Sequence, residues 1–500
     1  MGGSGGIGRS GRRGRVAVLL AGVAALAAAA TVAACAAPQP LVDLPGAADA
    51  VSVAPPDVVG PLRVRGADLV DAAGRVVQIH GVNSVAKSAP FVTPAEDGGL
   101  GPADLAALDR DGFNGVRLGV WPAALMPEPG RVDEAYLDRV RATVDALAAH
   151  GIWVLLDLHQ DVFTGMPGWA TTPAAAALDD TVPAGLEAIG WSAAYASPRS
   201  LRQWDDWWAD AEVAPGLGVV DAYAQGAAAL AARMADSPAV IGLELLNEPF
   251  PGSPVVSCVL GGCPAVDALV GLRSATITDA VRAAAPQLPV WWEAESMFPL
   301  YADASMAPPA VTPTAGGHDV GLSFHAYCLD TDGGQPVEPS PAAVTWCDGR
   351  FGDAFSRALG TSRSWGGPAL LTEFGASRSP INVTTPTRLA DQDGLSWFHW
   401  HQGSYPSVVE SQLVRTYAQA TAGTPLEQRF DRAPGDFRFR YRPDPSVTAA
   451  TSIVVPQRAY PGGYAVDVTG GTVTSGPGAG RLTVVADPGA AEVAVDVRRA

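Results

Sequence analysis

Five hundred residues exceed one ordinary domain and suit a large domain with a smaller companion. With 48% hydrophobic and 17% charged residues the chain is of globular type and can bury a sizeable core. A formal charge of −18, from 51 Asp and Glu against 33 Lys and Arg with no basic stripe, argues against nucleic acid and anionic membrane surfaces as partners.

The chain opens with Arg9, Arg12, Arg13 and Arg15 ahead of an uncharged Ala/Val/Leu run from Val16 to Ala34, the pattern of an export segment. It ends in Val32-Ala33-Ala34-Cys35, which resembles a bacterial lipobox; residues 1–35 are therefore expected to form a lipoprotein-type signal peptide, with Cys35 lipidated. An ordinary signal peptide cut near Ala37, or a retained anchor, is the alternative. Residues 36–59, rich in Pro, Ala and Asp, then serve as a flexible tether. Removing the four arginines takes the formal charge of the mature chain to about −22.

From about Val77 to His401, short apolar β-branched runs alternate with Ala/Leu-rich helical stretches, the rhythm of parallel βαβ units. Eight strands are predicted, ending near Asn83, Leu118, Leu158, Leu246, Glu293, Tyr327, Glu373 and Trp397. Helices are expected over Pro102–Asp111, Asp133–Ala149, Asp221–Ala235 and Val266–Ala285. Eight such units close naturally into an α/β (β/α)8 TIM barrel, placed at residues 60–425, whose strand C-termini carry the chemistry. Two long insertions, about Val162–Asp210 and Leu329–Gly360, fall where loops shape a cleft. Past Ala422 the pattern changes to alternation, as in Phe437-Arg438-Phe439-Arg440-Tyr441. A small C-terminal antiparallel β-sandwich over residues 433–500 is expected.

Apart from Cys35 the cysteines are Cys258, Cys263, Cys328 and Cys347, an even number in an exported chain. Proximity favours Cys258 with Cys263 and Cys328 with Cys347 among three possible connectivities. A zinc site is the weaker reading, because no His stands at ligand spacing near either pair.

Two strand ends carry a Glu: Leu246-Asn247-Glu248-Pro249 and Leu371-Thr372-Glu373-Phe374-Gly375. Glycosidic hydrolysis with retention needs two carboxyl groups facing each other about 5–5.5 Å apart, one protonated and one ionised. Opposite sides of a barrel mouth can supply that separation from residues far apart in sequence. One Glu alone would more simply cap a strand; two, each after an apolar run, point to chemistry. Asp157, His159 and Asp161 alternate and could imitate a metal cluster, but no matching fourth ligand stands nearby, and neither metal nor cofactor is expected. Trp204, Trp207 and Trp208 have helical spacing and read as core, whereas Trp397 and Trp400, with Trp292, Phe298 and Tyr301, are candidates to wall a sugar site.

These motifs, in order and strand number, resemble glycoside hydrolase family 5. The resemblance implies Glu248 as acid/base on strand four, Glu373 as nucleophile on strand seven, and Asn247 on the sugar 2-hydroxyl. It further implies Arg117 beneath the nucleophile, His325 toward the substrate, Tyr327 on the nucleophile, and Trp397 stacking on the sugar. His159-Gln160-Asp161, with Gly81-Val82-Asn83-Ser84-Val85-Ala86-Lys87 and Tyr460-Pro461-Gly462-Gly463-Tyr464, narrows the likeness to endoglycoceramidases, in which the counterparts of Lys87 and Asp161 bind the first sugars. The implied activity is a retaining endo-β-glycosidase that parts oligosaccharide from ceramide in glycosphingolipids; separately, the chain is expected to be a monomer, and to be attached to membrane if Cys35 is lipidated. A family 5 glucanase, mannanase or β-glucosidase is the alternative enzyme. A silent glycan- or lipid-binding lipoprotein is the alternative of another class, disfavoured because a binder needs no acid facing a nucleophile.

Overall fold

The computed structural model of the protein describes residues 59–92, 100–296, 320–328, 341–377, 379–401 and 411–500. Cys35, the tether up to residue 58, Phe298, Tyr301 and residues 329–340 of the second insertion lie outside them.

Eight parallel strands close a barrel in sequence order: β1 (His80–Ser84), β2 (Gly115–Val120), β3 (Trp153–Leu158), β4 (Val240–Glu244), β5 (Val290–Glu293), β6 (Val320–Ala326), β7 (Ala369–Phe374) and β8 (Ser396–His399). Strand alternation sorts the interior into two levels. Ile79, Leu155, Ile241, Trp291, Leu370 and Phe398 fill the floor, while Asn83, Arg117, Asp157, Glu244 and Glu293, further along the same faces, sit buried toward the C-terminal mouth. The floor is tight. A Cβ on Gly321 would stand 2.0 Å from the ring of fully buried Trp291, so Gly321→Ala is expected to lower stability by about 1–3 kcal/mol through overpacking. Urea unfolding checks this; parental stability would mean the indole can step aside.

Outward strand residues such as Val116, Leu118, Val154, Leu156, Leu322 and Phe324 join one large core with the surrounding helices. The longest of these are α1 (Pro102–Asp111), α2 (Glu134–Ala149), α3 (Pro198–Ala209), α4 (Val219–Met234), α5 (Pro264–Ala284), α6 (Pro341–Trp365) and α7 (Ile381–Asp393). Helix α2 illustrates the local logic: the Asp133 side chain caps its start by accepting the Tyr136 N–H, and Tyr136, Val140, Val144 and Leu147 form the buried stripe. The four predicted helices fall within two residues of those observed at each end. The insertions are less irregular than expected: the first contains α3, which buries Trp204, Trp207 and Trp208, and residues 341–360 of the second belong to α6. Cys258 pairs with Cys263 and Cys328 with Cys347. Among the described residues no helix is long and apolar enough to cross a membrane.

The second unit departs from expectation in two ways. Its strands begin at Tyr417, inside the stretch assigned to the barrel and ahead of residue 433, and three strands that precede the barrel (Arg63–Arg65, Asp68–Val70, Val76–Val77) complete its seven-stranded sheet. Val76 and Val77 pair with Thr421 and Ala420, a register no two-residue strand can announce in sequence. The facing four-stranded sheet contributes Phe437, Phe439, Tyr441, Val493, Val495 and Val497 to a shared core with Ile453, Leu482 and Val484. Tyr417 donates to the Gly112 carbonyl, and Arg458 pairs with Asp111 at 2.6 Å, fastening this unit to the C-terminal end of α1.

Candidate active site

Arg117, fully buried on β2, organises the floor of the mouth. Its Nε donates to Glu244 at 2.6 Å, Nη1 to Glu373 at 2.6 Å and to Asn83 at 2.9 Å, and Nη2 to Asn247 at 2.7 Å, with Asp157 3.1 Å away. Burial works against the cation, but Asp157, Glu244 and Glu373 outweigh it and raise its pKa well above the ordinary range. Glu373, from β7, receives a second donor: the Tyr327 hydroxyl reaches Oε2 at 2.7 Å. A register shift between β6 and β7 after Phe324 brings Glu373 opposite His325. Such irregularities re-aim side chains at barrel rims.

Glu248 follows β4 with φ of +43°, a strained conformation for a residue with a Cβ, costing on the order of 1–3 kcal/mol. Two side chains hold it there. Gln160 donates to the Asn247 and Glu248 carbonyls at 2.7 and 3.0 Å, and Glu293 accepts the Glu248 N–H at 2.8 Å. The Glu248 side chain is 21% exposed at the mouth, and its Oε1 lies 2.8 Å from Nδ1 of His325. A carboxylate oxygen of Glu248, one of Glu373 and a ring nitrogen of His325 lie within 4.8 Å of one another. Glu244, Glu293 and His325 form a second group of that tightness, with Arg117 already seated on Glu244.

Burial first, and the charge of Asp161 second, push Glu248 up to about 7, against opposing pulls from His159, Arg117 and Lys87. Burial holds His325 down at about 4, so it is neutral at neutral pH. On the other wall, His159 stands between Asp157 (2.7 Å) and Asp161 (3.4 Å). Burial disfavours its charge, but the two carboxylates prevail and raise it to about 9. Asp161 is held well below the usual carboxylate range despite burial, by His159 and then Lys87, whose ammonium is 2.5 Å away. Trp400 completes this wall: it stacks on the His159 ring at 5.4 Å and lies 4.7 Å beneath Lys87 Nζ.

The structure therefore gathers Lys87, Arg117, His159, Asp161, Asn247, Glu248, His325, Tyr327 and Glu373 around one mouth. Trp397 does not belong there. Strand β8 runs on to His399, so alternation turns Phe398 inward and Trp397 outward, fully buried against His80, Phe113 and Phe374. Trp292 is likewise buried on the helix side, against Trp365. Sequence reading assigned no role to Glu293, Glu244 or the Gln160 side chain. Each is one polar residue in or after an apolar strand, and the position of Glu293 at the predicted end of strand five was the available clue.

An acid held near neutrality faces a carboxylate that receives two donors, the pairing needed for acid-assisted displacement at one carbon. The family model described as cellulase (glycosyl hydrolase family 5) matches residues 70–405, and the one described as glycoside hydrolase family 5 C-terminal domain matches residues 415–497. Endoglycoceramidase I of Rhodococcus hoagii (strain 103S) is 39% identical over 451 residues, 88% of this chain and 88% of its own. Endo-glycoceramidase II from Rhodococcus sp., solved as a lactosyl-enzyme intermediate, matches with a TM-score of 0.71 at 26% identity, covering 87% of this chain and 100% of that one. Its ganglioside GM3 complex gives a TM-score of 0.70 at 26% identity over the same shares.

Proposed function

The chain belongs to glycoside hydrolase family 5, and on that footing we propose that it is an endoglycoceramidase, a retaining enzyme that releases the intact glycan of a glycosphingolipid from ceramide. The observation that carries the reading is the approach of Glu248 and Glu373 to within 4.8 Å, with Arg117 and Tyr327 donating to Glu373. The relatives at 39% and 26% identity carry this activity in their names, and the second has been solved both as a lactosyl-enzyme intermediate and as a ganglioside GM3 complex.

Glu373 attacks the anomeric carbon while Glu248 hands its proton to the departing ceramide oxygen; the glycosidic C–O bond breaks and a glycosyl–Glu373 ester forms. Ionised Glu248 then takes a proton from water, which attacks the same carbon and restores both groups. Asn247 has committed its Oδ1 to Arg117 and one Nδ2 hydrogen to the Gln160 carbonyl, leaving its second amide hydrogen for the sugar 2-hydroxyl. Lys87, Asp161 and His159 offer hydroxyl partners beside Trp400, which takes the stacking role expected of Trp397. Comparing a fluorescent ganglioside with a soluble β-glucan tests the substrate: glycan released whole from the ganglioside supports the proposal, and turnover of the glucan alone overturns it.

Because Glu248 must hold its proton to act, kcat/KM is expected to fall as pH rises through about 7. Asp161 raises Glu248, so Asp161→Asn should move that alkaline limb to lower pH. A pH profile on a soluble aryl lactoside reads this, and a limb that stays put or rises would contradict it.

The N-terminal segment supports export with acylation at Cys35, giving a surface lipoprotein, or a secreted monomer if cleavage falls after the Cys. Fatty-acid labelling and membrane retention are both expected to be lost in Cys35→Ser. Equal retention of that variant would refute the anchor, and sedimentation of the mature chain above one chain mass would refute the monomer.

A further inference from the structure

Glu293 ends β5 nearly buried, at 5% exposure, and takes no direct part in the displacement. Its two oxygens face different parts of the acid/base. Oε2 accepts the Glu248 backbone N–H at 2.8 Å, and Oε1 lies 3.3 Å from Nε2 of His325, whose Nδ1 is 2.8 Å from Oε1 of Glu248. The imidazole thus stands between two carboxyl groups, hydrogen-bonded to Glu248 through Nδ1 and with its buried Nε2 facing Glu293. The charged groups around this row are Glu244, Glu373, Asp157 and Arg117.

A neutral imidazole carries one N–H, and the row permits two arrangements. If Glu293 were ionised, Nε2–H would point at it, and the bare Nδ1 would draw the acidic hydrogen of Glu248 onto itself, away from substrate. If Glu293 carries a hydrogen on Oε1, it donates to Nε2. Nδ1–H then donates to Oε1 of Glu248, and the acidic hydrogen is left on the other Glu248 oxygen. Burial, then Glu244 and Glu248, raise Glu293 well above the carboxylate range, against the pull of Arg117, which agrees with the second arrangement.

We propose that Glu293 works as a neutral carboxylic acid that fixes His325 as the Nδ1–H tautomer and so aims the Glu248 proton at the leaving oxygen. Glu293 is a positioning residue, acting through His325. The same Nδ1–H remains a donor after Glu248 has lost its proton, so the carboxylate keeps its orientation while it activates water.

The proposal rests on Glu248 as the acid, and its test has an arm independent of turnover. The imidazole 15N spectrum of the resting enzyme, with the His325 signals identified by their loss in His325→Gln, is expected to show the Nδ1–H tautomer in the parent and in Glu293→Gln, whose amide reproduces both hydrogen bonds of a neutral acid. An Nε2–H tautomer in the parent overturns the proposal whatever the kinetics. In the second arm, Glu293→Met, which offers neither bond, should lower kcat/KM on glycosphingolipid by roughly 10- to 100-fold, within what general acid catalysis supplies, and should affect an activated aryl lactoside much less. Glu293→Gln should restore most of that loss. Equal losses in Gln and Met variants would overturn the tautomer role, whereas a Glu248 variant without leaving-group dependence would overturn the acid assignment instead.

Discussion

Glu373→Gln is expected to lower kcat by on the order of 10⁴-fold or more, because an amide cannot form the glycosyl ester and the step is lost rather than slowed. The variant keeps an oxygen for Arg117 Nη1 or the Tyr327 hydroxyl, and Arg117 retains Glu244 and Asp157 as counter-charges. The fold should therefore persist, and glycan affinity should stay within a few-fold. Single-turnover kinetics beside calorimetric binding separates these effects. An undiminished rate would remove Glu373 as nucleophile, and parallel loss of binding and structure would mark it as architectural.

Glu248→Ala is expected to behave differently with different leaving groups. On glycosphingolipid, whose alkoxide leaves poorly without a proton, the rate should fall by roughly 10²–10⁴-fold. An aryl lactoside with an acidic phenol should still form the ester with Glu373, so a burst of phenol should precede a slow steady state. The truncation empties the space beside Nδ1 of His325 that the Glu248 carboxyl filled, which a small anion can enter, and azide should accelerate breakdown of the intermediate to a β-glycosyl azide. Equal losses on both substrates, or no response to azide, would count against the acid/base role.

Much of this was legible because the barrel writes its strands as apolar runs that stop at a polar residue. Strand three, predicted to end at Leu158, ends there, and that of Glu293 likewise. Asn247-Glu248 and Glu373 stood out because polar residues at such ends have few structural reasons to exist. Trp397 was misplaced because the eighth strand runs two residues further than predicted, and in an alternating element the extra length decides which indole reaches the mouth. Strand ends are the weakest part of a pattern reading, since pairing with a distant neighbour sets them. The strands at residues 63–77 were illegible for a related reason: two or three residues cannot display a period, and the last of them joins the sheet through Thr421 and Ala420, some 340 positions away. Glu293 was seen only as a strand end. Its significance comes from contacts with Glu248 and His325, which no spacing in the sequence encodes.

The most direct test of a double displacement that releases whole glycan is the proton NMR spectrum of the first sugar freed from lactosylceramide, recorded before mutarotation. Intact lactose appearing as the β-anomer is the predicted result, since two inversions at one carbon restore its configuration. The α-anomer appearing first, or a monosaccharide in place of lactose, would contradict the account.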